Sequence, residues 1–227
     1  MTVSLLSPQV RSAATQLASY SLGRVQDASG KVRVEDYLTV LAAITGEAAL
    51  FASGVITVGT SPIEPGAPVF GDPINHVLTG DVLTFAELPA TSVMGILVAE
   101  VVPATVPLAF FGSLEETYRH VAAGVGQAPW GFVSTTVPEA NKPTVQPLRV
   151  AFDLRPSVDQ AQSTADLPTD LRHVPCTLAL AIGLGQVRSA IDMRIATTLA
   201  IEVVFGMAKM GPMTKAWMDA VAKQPKR

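Results

Sequence analysis

The residues best suited to acid–base chemistry form a short cluster in which one histidine lies among carboxylates and an amide. Asp72 and His76 are four residues apart, Asn75 adjoins the histidine, and Asp81 follows five residues later. A proline after Asp72 and a glycine before Asp81 are typical of the start and the end of a short helix. Asp72 would then lie one turn from His76 and could orient its imidazole for general acid–base catalysis. The plainer alternative is an aspartate that caps the helix beside a partly exposed histidine.

A second polar group lies in a segment bounded by prolines, between two stretches that are predicted to be strands. Glu139, Asn141 and Lys142 belong to this segment, and Arg149 follows it. Loops between strands often carry binding residues, and Glu139 with Lys142 could form an acid–base pair. The alternative is a stiff surface loop that carries ordinary solvated charges.

A third candidate is Glu100, the one acidic residue in the apolar run from Val93 to Val102. A carboxyl group buried without a partner holds its proton more tightly than usual and can serve as an acid or a base. The alternative is a carboxylate at the edge of the run that pairs with an arginine.

The remaining histidines and the single cysteine give weaker candidates. His173 precedes Cys176 by three residues, so the two could form a Cys–His nucleophile. The cysteine opens an apolar run, however, and a small core residue is the simpler interpretation. His120 follows Glu116 by one helical turn, a spacing typical of a solvated helix face. With one cysteine and three scattered histidines, the sequence predicts no metal site.

Motifs and charge exclude several classes of protein. The chain has no P-loop, no H-E-x-x-H and no G-x-S-x-G, and the run 183–188 begins like a dinucleotide fingerprint but lacks its third glycine. The net charge of −3 offers no strong attraction for nucleic acid or for anionic lipid. We therefore expect neither a cofactor nor a nucleic-acid partner.

The composition is unusually apolar, which calls for a membrane, a large core or a partner subunit. Charged residues make up 15% of the chain and hydrophobic residues 48%, whereas typical domains are about 25% charged. The longest apolar stretch, Val93–Phe111, contains Glu100 and two prolines, which argues against a membrane span. The first residues, MTVSLLSPQVR, do not resemble a signal peptide. Together with the single cysteine, these features indicate a soluble cytoplasmic protein.

Hydrophobic periodicity and capping residues predict a mainly helical chain. Helices are expected to start at Ser7, near Val34, at Ser113, near Ser189 and at Pro212. At Ser113 the sequence Ser-Leu-Glu-Glu forms a capping box, in which the serine hydroxyl accepts a hydrogen bond from a backbone N–H of the first turn.

Two segments are predicted to pair as a small antiparallel β element. Residues 130–137 are rich in aromatic and β-branched side chains, and residues 148–155 alternate strictly between apolar and polar. The apolar runs 93–102 and 176–187 fit either a strand or a helix. The fold predicted is therefore α+β, mainly α-helical, with residues 1–227 in a single globular domain.

The apolar excess makes self-association the leading interpretation of function. The helix expected over 191–210 is apolar nearly all round, so one face can pack in the core while Ile201, Val204 and Phe205 need other cover. We therefore predict a homodimer through the C-terminal helices, with cover by the N-terminal helices of the same chain as the competing explanation. The predicted function is that of a homo-oligomeric binding or interaction protein, with room for a small-molecule ligand.

The alternative function is a cofactor-independent enzyme that uses His76 with Asp72, or Glu139 with Lys142, as its acid–base pair. The arrangement in space separates the two hypotheses. Convergence of His76, Glu100 and the polar segment around Glu139 on one cavity would favour the enzyme, and their dispersal would favour the binding protein.

Overall fold

The structure is a computed structural model, which describes residues 7–57, 63–102 and 106–222. Within these ranges the chain forms nine α-helices, joined by loops that include four short 3₁₀ turns. In chain order the helices are α1 (Pro8–Val25), α2 (Val34–Ala52), α3 (Asp72–Thr79), α4 (Val93–Val101), α5 (Leu114–Gly124), α6 (Pro147–Ala165), α7 (Val174–Val187), α8 (Met193–Ala208) and α9 (Lys215–Ala222).

The fold class predicted from the sequence is wrong, because the chain is all-helical rather than α+β. Helices account for 65% of the chain and strand-type residues for 2%, and the described ranges contain no sheet. The β-type pairs within them are two isolated bridges, Gln26 with Val32 and Pro68 with Met210. Residues 130–137 and 148–155 therefore do not form the small antiparallel β element that was predicted.

The segment 148–155 belongs to helix α6, and its apparent strand alternation has a helical explanation. A proline occupies the first turn of this helix, where its fixed φ and missing N–H are tolerated. A second proline, Pro156, lies inside the helix without ending it. The buried residues that follow helical spacing are Leu148, Ala151, Leu154, Val158, Ala161 and Ala165.

The segment 130–137 is irregular, and α8 satisfies part of its backbone. Thr136 donates its N–H (2.7 Å) and its hydroxyl (2.6 Å) to the buried carboxylate of Glu202. A side chain thus replaces a partner strand, which meets the need of a buried N–H for an acceptor. The runs 93–102 and 176–187, for which strand and helix were both open, form the helices α4 and α7.

Helix α2 lies at the centre of the fold and packs mainly on α8, α7 and α6. Glycines allow the close approaches. A Cβ atom at Gly46 of α2 would overlap the Val204 carbonyl oxygen of α8 and would lie 2.7 Å from Met207 Cβ. A Cβ atom at Gly183 of α7 would overlap the Leu41 side chain of α2. These contacts bring three apolar helices into one core.

The face of α8 that was predicted to form a dimer interface is covered within the same chain. Val204 and Phe205 are fully buried and Ile201 is 2% exposed. Gly46 of the N-terminal helix α2 lies against Val204, whereas Phe205 packs on Tyr118 of α5. Cover within the same chain, the competing explanation, therefore fits this face, but the N-terminal helix provides only part of it. None of the helices in the described ranges combines the length and the hydropathy that a membrane crossing requires.

The predicted helix starts are confirmed where the capping residue was identified correctly. The hydroxyls of Ser7 and Ser113 each accept a backbone N–H from the first turn, both at 3.3 Å. The start predicted near Ser189 lies later, because Asp192 is the residue that caps α8. The final helix begins at Lys215, three residues after the proline that was expected to open it.

Candidate functional site

Helix α3 supplies side chains to two surface cavities. Its N-cap residue is Gly71, since Asp72 already has helical geometry, so the cap predicted on Asp72 is wrong. Pro73 lies in the first turn and Gly80 ends the helix with φ of 70°, a left-handed conformation that glycine adopts without a Cβ clash. Asp72 and Asp81, near the two ends of the helix, line both cavities.

His76 takes its carboxylate partner from the turn after α3 rather than from Asp72. Its Nδ1 lies 2.9 Å from Asp81 Oδ2, and the predicted pair with Asp72 does not form. Asp81 has φ of +64°, a backbone conformation that costs energy for a residue with a Cβ atom and is enriched at functional sites. The two side chains are 70% and 53% exposed, so solvent weakens their attraction.

The first cavity, here called the His76 cavity, has a volume of about 490 Å³ and also includes the buried His173 in its lining. Nε2 of His173 donates to the Thr91 carbonyl at 2.9 Å, a hydrogen bond that the neutral and the protonated ring can both make. Nδ1 makes no hydrogen bond and is shielded from solvent. The imidazole that this cavity presents to a ligand is therefore that of His76.

Burial sets the protonation of His173. Desolvation lowers its pKa, although the backbone carbonyls of Thr91 and Asp170 act in the opposite direction. Burial is the largest of these effects, so it favours the neutral form.

The second cavity, here called the Lys209 cavity, lies between α3, α5 and the end of α8 and has a volume of about 660 Å³. Small-molecule sites usually have about 300–1,000 Å³. Its lining residues are Asp72, Asn75, Thr79, Asp81, Val82, Leu83, Tyr118, Ala122 and Lys209. The sequence predicted Asp72, Asn75 and Asp81 as candidate site residues, and the structure adds Lys209 and Tyr118.

Lys209 is a cation buried without an anion. It is 5% exposed, and its Nζ donates to Asn75 Oδ1 at 2.8 Å. The rings of Tyr118 and Phe70 lie 5.3 and 5.7 Å from Nζ, within the reach of cation–π attraction. Among the described residues, no carboxylate forms an ion pair with it. Burial lowers the pKa of Lys209, because desolvation disfavours the charged form.

Backbone pairing between two loops holds Lys209 in place. The N–H of Val69 donates to the Lys209 carbonyl at 2.8 Å, and the N–H of Gly66 donates to the Gly211 carbonyl at 2.8 Å. The same pairing places Phe70, the residue after Val69, beside the lysine. Residues that are distant in sequence thus fix the position of the charge.

Tyr118 of α5 forms the opposite part of the lysine's surroundings. Its hydroxyl lies 3.0 Å from Thr79 Oγ1, and its ring packs on Phe205 with the centroids 4.8 Å apart. Burial raises the pKa of Tyr118 to about 12, so the phenol is protonated at neutral pH. It contributes a neutral hydroxyl and an aromatic face.

The other predicted site residues are dispersed over the surface. Glu100 pairs with Arg11 of α1 at 3.3 Å, which is the arginine pairing considered as its alternative. Glu139 and Lys142 form an ion pair at 2.6 Å on an exposed 3₁₀ turn. Asn141 and Arg149 bind carboxylates within the fold: the Asn141 amide donates to Glu35 at 2.7 Å, and the Arg149 guanidinium donates to Asp153 at 2.9 Å.

The Cys–His hypothesis does not fit the structure. Cys176 is fully buried, and burial raises the pKa of its thiol to about 12, so little thiolate exists at neutral pH. His120 is partly buried rather than on a solvated face. Its Nε2 donates to the Ser134 carbonyl at 3.1 Å and lies 3.9 Å from the Glu202 carboxylate.

One feature of the sequence could have identified Lys209 as a candidate site residue. It lies at the end of a helix that is otherwise apolar nearly all round, and a charge in such a helix must find partners or a cavity. Its partners could not be read from the sequence, because Asn75 is 134 residues away.

Comparison of the chain with family models, with curated proteins and with solved structures finds no match. Its function is therefore inferred from the geometry of the two cavities. Within the described part of the chain, no three histidine, cysteine or acidic side chains lie close enough together to hold a metal ion.

Proposed function

We propose that this chain is a small-molecule-binding protein whose ligand presents an anionic group to Lys209 in the Lys209 cavity. The observation that carries the proposal is a lysine, 5% exposed, that lines a cavity of about 660 Å³ without a carboxylate partner among the described residues.

The energetic argument concerns the cost of burying a charge. Removing an ammonium group from water costs several kcal/mol unless an anion and hydrogen bonds offset it. Lys209 has three N–H donors, and one of them is used by Asn75. An anionic ligand would supply the missing charge and accept the remaining donors, in charge-assisted hydrogen bonds that are stronger than neutral ones.

Neighbouring groups also favour a ligand rich in acceptors. The Nδ2 amide of Asn75 donates to no described residue, while its oxygen is occupied by Lys209. The Thr79 hydroxyl donates to the Asn75 carbonyl at 3.4 Å and lies 3.0 Å from the Tyr118 hydroxyl, so Tyr118 donates to Thr79 and both hydroxyl hydrogens are used within the fold. The Lys209 ammonium and the Asn75 amide are therefore the free donors, and together they suit a carboxylate.

Dispersal of the other candidate residues supports binding over catalysis. His76 lines one cavity, Glu100 lines another beside Arg11, and Glu139 pairs with Lys142 on an exposed turn. An enzyme built from these residues would need them to line one common cavity, and they do not.

Calorimetric titration with hexanoate, a simple carboxylate with an apolar chain, tests the proposal. The variant Lys209→Met keeps much of the side-chain volume but removes the charge, and hydrogen bonds to charged groups contribute about 1.5–3 kcal/mol. We expect hexanoate affinity to fall by about 10-fold or more. Lys142→Met changes an exposed lysine and should leave the affinity unchanged. Equal affinities for Lys209→Met and the parent protein would exclude the proposal.

A second candidate function, acid–base catalysis by His76, is favoured by its 2.9 Å contact with Asp81 and by the left-handed backbone of that aspartate. Hydrolysis of p-nitrophenyl acetate provides a test. His76→Gln and Asp81→Asn should both lower the rate, whereas His120→Gln should not. A rate that Asp81→Asn leaves unchanged would show that the aspartate does not assist the imidazole.

For the compartment we propose the cytoplasm, on the ground that the one cysteine of the chain, Cys176, is free and buried. Self-association also stays a prediction. It now rests on composition alone, because the face of α8 that was assigned to the interface is covered by the same chain.

A further inference from the structure

We infer that the ligand of the Lys209 cavity is amphoteric, with a carboxylate bound to Lys209 and an ammonium group bound by Asp72 and Asp81 at the mouth of the same cavity. This inference rests on the proposed function, because it adds a second charged group to the ligand that the lysine is proposed to hold.

The distribution of charge in the cavity carries the inference. Its lining contains one basic side chain, the buried Lys209, and two acidic side chains, the exposed Asp72 and Asp81. The remaining ionisable group, Tyr118, is neutral. Asp72 forms no ion pair with any described residue, and Asp81 uses one carboxylate oxygen for His76. A ligand that reaches the lysine therefore also meets two carboxylates that can accept hydrogen bonds.

The wall of the cavity indicates what joins the two charged groups. Val82, Leu83 and Ala122 contribute apolar surface, and Leu83 is 53% exposed. A hydrocarbon spacer along this wall would cover that surface, with a gain of about 25 cal/mol per Å² of apolar area removed from water. The ligand class is thus an amino acid whose amine and carboxylate are separated by a short apolar chain.

A plain carboxylate fits the cavity less well. It would bring a third negative charge into a site that already has two carboxylates, and like charges in proximity repel. An ammonium group at the mouth of the cavity reverses the sign of that interaction. Because Asp72 and Asp81 are exposed, the gain is that of a surface ion pair, which is small but measurable.

Three probes of matched length test the inference by calorimetry at low ionic strength: hexanoate, 6-aminohexanoate and hexylamine. We expect 6-aminohexanoate to bind about threefold or more tightly than hexanoate, the effect usual for an exposed ion pair, and hexylamine to bind most weakly. Added salt should reduce the advantage of 6-aminohexanoate, because screening acts on exposed charges.

Variants at the mouth of the cavity identify the groups that hold the amine. The double variant Asp72→Asn, Asp81→Asn should abolish the advantage of 6-aminohexanoate, and it should bind hexanoate at least as tightly as the parent does, because two negative charges are removed from the site. Asp219→Asn, which removes an exposed carboxylate of α9 that is not part of the cavity lining, is the matched control and should retain the advantage.

The outcomes separate this inference from the proposed function. If Lys209→Met does not weaken hexanoate binding, the proposed function itself fails. If hexanoate binding depends on Lys209 but 6-aminohexanoate binds no more tightly, the amphoteric ligand is excluded and the anion site stands. If the advantage persists in the double variant, the assignment of the amine to Asp72 and Asp81 is wrong.

Discussion

At the scale of single residues, burial of ionisable groups ties the stability of the fold to pH. His173 is 2% exposed, and burial lowers its pKa, so it binds a proton more readily once the chain is unfolded. Stability is then lost as the pH falls below the ordinary histidine value of about 6.5. Removing His173 should remove that part of the pH dependence.

The measurement is the free energy of unfolding of the parent and of His173→Gln between pH 5 and pH 8. We expect the parent protein to lose more stability than the variant as the pH is lowered, so that the difference between them narrows in acid. Glutamine is neutral throughout and retains an N–H donor for the Thr91 carbonyl. A difference that stays constant across the range would show that His173 does not titrate with unfolding.

The cap at Ser113 gives a second prediction at this scale. Its hydroxyl accepts the Glu116 N–H at 3.3 Å, and loss of such a cap usually costs about 1 kcal/mol. Ser113→Ala should therefore lower the denaturant midpoint. Ser19→Ala, at an exposed position inside α1, should be neutral or slightly stabilising, because alanine favours helix interiors. Equal midpoints for Ser113→Ala and the parent would contradict the role of the cap.

Individual site residues could be predicted from sequence only where the interaction is local. The cluster around His76 was identified, but its partner is Asp81 because the turn after Gly80 folds the chain back onto the helix. The Lys209 cavity could not be predicted, since it joins side chains from α3, α5 and α8 that meet only in the tertiary structure.

At the scale of elements, the sequence predicted the starts of α1 and α5 correctly, because the serine caps at Ser7 and Ser113 mark them. It failed for residues 148–155, where two-residue alternation coincided with a helix buried over a wide face. It failed also for 130–137, where β-branched residues are held by contacts with α8 instead of by a strand. Tertiary packing determines the conformation of both segments, and the local sequence pattern carries no information about that packing.

The contact between α2 and α8 gives a prediction at this scale. Gly46→Ala would place a Cβ atom into the Val204 carbonyl oxygen and 2.7 Å from Met207 Cβ, and neither backbone can move without repacking the core. We expect a loss of about 1–3 kcal/mol or more in unfolding free energy. Gly23→Ala, in α1 with no atom within 4 Å, should instead stabilise by up to about 1 kcal/mol. Similar stabilities for the two variants would contradict this tight contact.

At the scale of the whole molecule, the fold accounts for the apolar composition through a core of central helices. Helix α2 has 17 buried residues among its 19, and α8 has 13 among its 16. These two helices are buried almost all round, so many of the hydrophobic residues that had suggested a subunit interface lie in the core of the chain. Charged residues also pair within the fold, as the buried Glu47 does with Arg155 at 2.6 Å.

This account predicts that Val204→Glu unfolds the protein rather than dissociating a dimer. Val204 is fully buried, and an unpaired buried carboxylate costs several kcal/mol, a large part of a typical stability of about 5–15 kcal/mol. Circular dichroism should show loss of helix, and light scattering should show aggregates. Ser189→Glu adds the same charge at an exposed position and should change neither. A folded Val204→Glu monomer near 23.8 kDa, beside a dimeric parent, would instead return α8 to a subunit interface.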